Sequence, residues 1–116
     1  MSLEEQRLNA IRKVILEHKG KANAIRASKI SKMLEIPEND TFATTRGLIT
    51  KLILEEGIPI AASSKGYFYI ENQQELSDYM EYLQERIHQT TNRMVTVFSN
   101  FQEKFGKAKI VKTEDF

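Results

Sequence analysis

Two histidines, no cysteine and scattered carboxylates are what this chain offers for a catalytic or metal centre, and their spacing builds neither. His18 falls near the end of an apolar-periodic segment, where a cation suits a helix dipole. His88 sits beside an apolar stripe, and neither histidine has a second ligand or a nucleophile at metal or triad spacing. Glu55 and Glu56 are adjacent on a helix and project apart, so they form no carboxylate pair. Gly20 and Lys21 lack the preceding glycine and following hydroxyl residue of a phosphate loop. The absence of cysteine excludes a disulfide framework, a thiolate zinc site and a cysteine nucleophile. The expectation is a protein that is not an enzyme and uses no metal or cofactor.

The chemistry that remains belongs to cations. Residues 19–34 hold Lys19, Lys21, Arg26, Lys29 and Lys32 with no acidic residue among them, and Arg46, Lys51 and Lys65 follow. Such a run reads either as a solvated helix face or as a surface for phosphates. The net charge of +1 decides nothing, because residues 1–71 carry eleven basic against nine acidic side chains. What matters is where the fold puts them.

Leu8, Ala10, Ile11, Val14 and Ile15 recur at three and four residue steps and define a first helix, with Gly20 expected to stop it just past the basic Lys19. Residues 24–27 suit a short strand or extended connector. Ser28 is the expected cap of a second helix with Ile30, Met33 and Leu34 on one face, ended by Pro37. A polar turn of Glu38, Asn39, Asp40 and Thr41 precedes a third helix, in which Phe42, Leu48, Ile49, Leu52 and Ile53 are expected inward. Thr44, Thr45, Arg46, Thr50 and Lys51 are expected outward, and Gly57 ends the helix. The period then drops to two: Ile58, Ile60 and Ala62 alternate with Pro59, Ala61 and Ser63, and an aromatic strand follows from Tyr67. The two form a β-hairpin with Ser63, Ser64, Lys65 and Gly66 at its tip. Phe68 and Ile70 are expected in the core; Tyr67 and Tyr69 remain open between base stacking and packing.

That order of elements is that of a winged helix-turn-helix, and residues 57–67, GIPIAASSKGY, resemble the helix-to-wing passage of biotin-ligase-repressor-type winged helices. The chain is also similar to small phage-borne winged-helix proteins with a long helix after the wing. The expected fold is α+β, mainly α: three helices and a hairpin wing over residues 1–71, then a long coiled-coil-like helix over 72–106 and a flexible tail over 107–116. The resemblance implies double-stranded DNA as partner. A recognition helix reads bases mainly through its first turns, which selects Thr44, Thr45 and Arg46, whereas Lys32, Lys51 and Lys65 hold phosphates; Lys29 and Thr50 complete the expected DNA-binding set.

Asn72 and Glu75 form a capping pair for the long helix. Leu76, Met80, Leu83, Ile87, Thr90, Met94, Val97 and Phe101 then follow at alternating steps of four and three, the a/d spacing of a coiled coil. A helix of about 34 residues is about 51 Å long, which favours a homodimer over folding back on its own domain. No apolar run approaches a membrane span and the opening lacks a secretory pattern, so the expected compartment is cytoplasmic. The expected function is that of a small dimeric transcriptional or phage-type regulator. The alternative is a protein-interaction module docking its winged helix, long helix or tail into a replication or packaging assembly.

Overall fold

Ser2 begins the first helix by accepting the Glu5 N–H on its hydroxyl at 3.1 Å, so α1 (Leu3–Glu17) starts well before the apolar repeat that marks it in sequence. A computed structural model describes residues 1–106; the expected flexible tail over 107–116 lies outside the described residues. Leu8, Ile11, Val14 and Ile15 make the buried stripe of α1. The helix ends at His18 rather than at Gly20. Gly20, at φ +85°, instead opens a single 3-10 turn (Lys21–Asn23) and donates its N–H to the Tyr69 carbonyl at 2.9 Å.

The expected extended connector is present as one antiparallel bridge, Ile25 to Tyr67. Arg26, not Ser28, is the N-cap residue of α2 (Ala27–Met33), and it makes no side-chain cap bond. Ala27, Ile30 and Ser31 turn inward while Met33 is 52% exposed, a correction to the expected face. The reason lies in the termination: Ile36 N–H reaches back to the Ser31 carbonyl at 2.9 Å, with Glu35 at φ +54° between them. This is a Schellman stop, and Ile36 folds back into the space Met33 was expected to fill. The chain therefore turns two residues before Pro37.

Phe42 stands outside α3 (Ala43–Glu56) as its N-cap, in the left-handed region at φ +56°, and Gly57 ends the helix in the same region, as expected. Thr45, Leu48, Ile49 and Leu52 are buried, so Thr45 faces the core and not solvent. Ile53 is exposed instead. The swap follows from helix geometry, since Thr45, Leu48, Ile49 and Leu52 share one stripe at steps of three and four and Ile53 lies at its margin.

The hairpin pairs β1 (Ile60–Ser63) with β2 (Gly66–Tyr69), Ile60 opposite Tyr69 and Ala61 opposite Phe68. Phe68 is buried as expected, but so is Ala61, while Ile58, Ala62 and Ile70 are only half-buried. The main core is Ile60 with the stripes of α1, α2 and α3, and Tyr67 and Tyr69 pack against it. Phe68 and Ala61 lie on the opposite strand face, so both faces of the hairpin are covered and the simple alternation fails.

The chain divides into two compact units, Met1–Tyr79 and the residues from Met80 onward. α4 (Gln73–Phe105) begins in the first and continues as the second, with Asn72 accepting the Glu75 N–H at 2.9 Å as expected. Glu75 in turn accepts the N–H groups of Glu71 and Lys21, each at 2.8 Å, tying the first turn of α4 to the 3-10 turn.

Two left-handed positions yield a paired stability prediction. Glu35→Gly keeps the Schellman stop and removes the Cβ penalty, so denaturant unfolding should show a gain of about 0.5 to 1 kcal/mol. Gly66→Ala should do the reverse: at φ +122° a Cβ would stand 2.3 Å from the Ile25 carbonyl carbon and oxygen. The backbone conformation alone costs about 1 to 3 kcal/mol there, and a measured loss no larger than that would show that the Ile25 segment yields to the added Cβ.

Candidate nucleic-acid interface

Three elements converge on one surface. The bridge between Ile25 and Tyr67, with N–H to carbonyl distances of 2.8 and 2.7 Å, lays the start of α2 against the hairpin turn. The start of α3 closes the third side. Between them lies a cleft of about 280 Å³ lined by Arg26, Ala27, Ser28, Phe42, Arg46, Ala62, Ser63, Ser64, Gly66 and Tyr67. It has two guanidinium groups and no carboxylate on its walls.

Arg46 is held by neutral acceptors. Its Nε donates to the Thr41 carbonyl at 2.9 Å and its Nη1 to the Tyr67 hydroxyl at 3.3 Å. Neither Asp40 nor Glu38 pairs with it. Ser63 Oγ donates to the Gly66 carbonyl at 3.2 Å and accepts the Lys65 N–H at 3.2 Å, which shapes the hairpin tip.

Glu38 organises the start of α3. Its carboxylate accepts the N–H of Thr44 at 3.1 Å, the N–H of Thr45 at 2.6 Å and the Thr45 hydroxyl at 2.8 Å. It thus caps a helix whose own N-cap residue, Phe42, has no side chain able to do so. Desolvation acts on the carboxyl most strongly and raises its pKa. The hydrogen bonds from Thr45 and Thr44, with the charge of Arg7, outweigh it and hold the group below its ordinary 4.5.

The expected site residues separate into groups. Thr44, Arg46 and Thr50 are exposed on α3, Lys29 and Lys32 on α2, and Lys65 at the hairpin turn. Thr45 is buried on Glu38 and cannot reach a base, because its hydroxyl is spent on the cap. Lys51 is committed elsewhere: its Nζ lies 2.9 Å from Glu4 and 3.8 Å from Glu55. The hydrogen bond to Glu4, the charge of Glu4 and that of Glu55 hold its pKa above the usual 10.5. Among the described residues no ion pair involves Arg26, Lys29, Lys32, Arg46 or Lys65.

Arg26, Phe42 and Gly47 were not singled out from sequence. Arg26 lay in the basic run but lacked any sign that it faces the hairpin; the usable signal was Gly66, whose contact partner is the Ile25–Arg26 peptide. Phe42 was hidden in an apolar helical pattern. Gly47 lies exposed inside α3 with nothing within 4 Å of the position a Cβ would take.

No residue of α4, in either unit, is buried. The a/d stripe is open along its length: Leu76, Met80 and Phe101 are exposed, Ile87, Met94 and Val97 more so, and Leu83 half-buried. Thr90 satisfies its hydroxyl on the Arg86 carbonyl at 2.8 Å. No helix among the described residues is long and apolar enough to cross a membrane, and no group of three or more potential metal ligands occurs among them. Comparison with known protein families, characterised proteins and solved structures yields no match for this chain.

The pH dependence follows from Glu38, with Glu75 acting in the same direction: bonds from the Lys21 and Glu71 N–H groups, aided by Asn72, lower its pKa against desolvation and Asp78. A depressed folded-state pKa means stability that is complete above the unfolded value of 4.5 and lost as pH falls through the folded value. The thermal midpoint should therefore fall as the pH drops below 4.5. Glu38→Gln should lower it at neutral pH and flatten the slope, the two proteins converging in acid; parallel pH curves by circular dichroism would contradict the cap.

Proposed function

We propose that the first unit is a winged helix-turn-helix that binds double-stranded DNA, with the exposed face of α3 in the major groove and the β1–β2 hairpin as the wing. The observation that carries this reading is the distribution of uncompensated charge. Ion pairs gather on the seam between α1 and α3, where Arg12 meets Glu56 and Lys51 meets Glu4. Among the described residues, Lys29, Lys32, Arg46 and Lys65 have no carboxylate partner on the three elements such a fold turns to the duplex.

Thr44, Arg46 and Thr50 are the base-reading candidates in this reading, and Lys29, Lys32 and Lys65 hold phosphates. Gly47 adds support. A glycine in an exposed helix interior costs about 0.5 to 1 kcal/mol against alanine, and no packing within the domain compensates for it. Between Arg46 and Thr50 it lets a groove wall approach the helix backbone closely.

The second unit supplies dimerisation in this proposal. Its open stripe repeats at coiled-coil spacing, and two low-affinity domains tied together gain effective concentration on adjacent half-sites. Such a protein is a small regulator without an effector domain of its own in the described residues.

The decisive experiment separates stability from binding. Gly47→Ala should raise unfolding stability by about 0.5 to 1 kcal/mol and yet weaken duplex binding. Arg46→Ala should cost about 1 to 3 kcal/mol of affinity and relax sequence preference, whereas Lys65→Ala should weaken all duplexes alike and reduce the salt slope by about one. Unchanged affinity in all three moves the reading to a protein-interaction module docked in a larger assembly.

Dimerisation has its own test. Ile87→Asp places a charge in the centre of the stripe, and desolvating an unpaired carboxylate costs more than the helix contact returns. Light scattering should show dimers for the native chain and monomers for the variant. A monomeric native chain at micromolar concentration would remove the coiled coil.

A further inference from the structure

The cleft between α2, α3 and the hairpin has features that duplex binding does not require. Arg46 is fixed by a carbonyl and a phenol, so its guanidinium is oriented without being neutralised. Arg26 faces the same space with no ion pair among the described residues. The hydroxyls of Ser28 and Ser64 line it and make no hydrogen bond within the described residues. Two planar guanidinium forks and free hydroxyls without a carboxylate are a set of donors for a phosphate group.

A phosphate alone would leave much of the cleft empty. At about 280 Å³ it is near the lower end of small-ligand sites, and two aromatic residues, Phe42 and Tyr67, share its wall with Ala27, Ala62, Ser63 and Gly66. Phe42 is the telling residue. Its backbone sits at φ +56°, ψ 39°, where glycine or asparagine is the relaxed choice. A bulky side chain in that conformation is strained, and Phe42 lines the cleft one helical turn before Arg46. Tyr67 provides a second ring.

We propose that this cleft binds a nucleoside monophosphate, with Arg26 and Arg46 on the phosphate and the rings of Phe42 and Tyr67 against the base. Stacking accepts any base, because every base presents a π-face, so the site selects the phosphate and a ring rather than a sequence. The phosphate ester has two sources: a free nucleotide, or the 5′-phosphorylated end of a strand. Either would occupy Arg46 and so compete with its role on a duplex, although the site itself stands without the duplex reading.

The test is an amide-resolved NMR titration of the whole chain with deoxyadenosine 5′-monophosphate, inorganic phosphate and deoxyadenosine. The nucleotide should shift the Arg26, Ser28, Ser64 and Gly66 amides saturably, and the other two should bind about tenfold more weakly or worse. Arg26→Gln, whose exposed side chain makes no hydrogen bond or ion pair among the described residues, should keep its thermal midpoint and lose about tenfold in nucleotide affinity. Phe42→Gly should abolish the preference for nucleotide over inorganic phosphate. Equal binding of phosphate and nucleotide, or an Arg26→Gln chain that binds as before, overturns the site, as does the absence of any saturable shift. Tighter binding of a 5′-phosphorylated oligodeoxyadenylate than of its 5′-hydroxyl twin and the free nucleotide assigns the strand end; equal binding of free nucleotide and phosphorylated strand assigns the free ligand. A chain that takes the nucleotide but no duplex keeps this site and drops the duplex proposal, and the converse result drops this site alone.

Discussion

The bridge between Ile25 and Tyr67 is the contact on which the candidate surface depends. Two backbone hydrogen bonds of 2.8 and 2.7 Å join the connector before α2 to the second strand. They require a glycine at position 66, because the Ile25 carbonyl and the Arg26 nitrogen occupy the space of a Cβ. Bonds of this kind are insensitive to side-chain chemistry elsewhere, so they hold α2 against the hairpin whatever the surface carries. With α2 so placed, Arg26 must stand beside the hairpin turn, and Arg46 can reach Tyr67 from α3.

Electrostatics divides the first unit along the same line. Carboxylates that could neutralise cations are used on α1 and the end of α3: Glu4 and Glu55 on Lys51, Glu56 on Arg12. Glu38 could have neutralised Arg46. It accepts three hydrogen bonds from Thr44 and Thr45 instead, and that cap spends its charge on the start of α3. One acidic residue thereby stabilises the helix and leaves the arginine's field uncompensated, which is the condition any anionic partner requires.

Helix and hairpin existence were legible in the sequence because apolar period and glycine placement are local signals. The stripe of α1, the stop at Gly57, the hairpin and the Asn72–Glu75 cap all follow from them. Thr45 and Met33 were not legible. Threonine faces the core only because a carboxylate seven residues away satisfies its hydroxyl, and methionine faces solvent only because Ile36 returns after a non-glycine left-handed turn. Both depend on contacts across the loop between α2 and α3: helical spacing puts Thr45 on the buried stripe, but it is Glu38 that satisfies its hydroxyl there. Among the site residues, cations could be found by composition. That Lys51 is paired and Arg26 is not depends on which element each side chain meets.

That same loop carries both of the positive-φ residues that are not glycine among the described residues, Glu35 and Phe42. Each costs free energy that a glycine would not, so the path of the connection between α2 and α3 carries local strain. At Glu35 the return is structural, since the Schellman turn sends Ile36 into the core at 5% exposure. At Phe42 no comparable return is visible in the main core, which does not include it. What the left-handed turn does achieve there is to begin α3 with Thr44 and Arg46 on the outside and an aromatic ring at the cleft. Strain that secures the core and strain that shapes a surface thus sit seven residues apart.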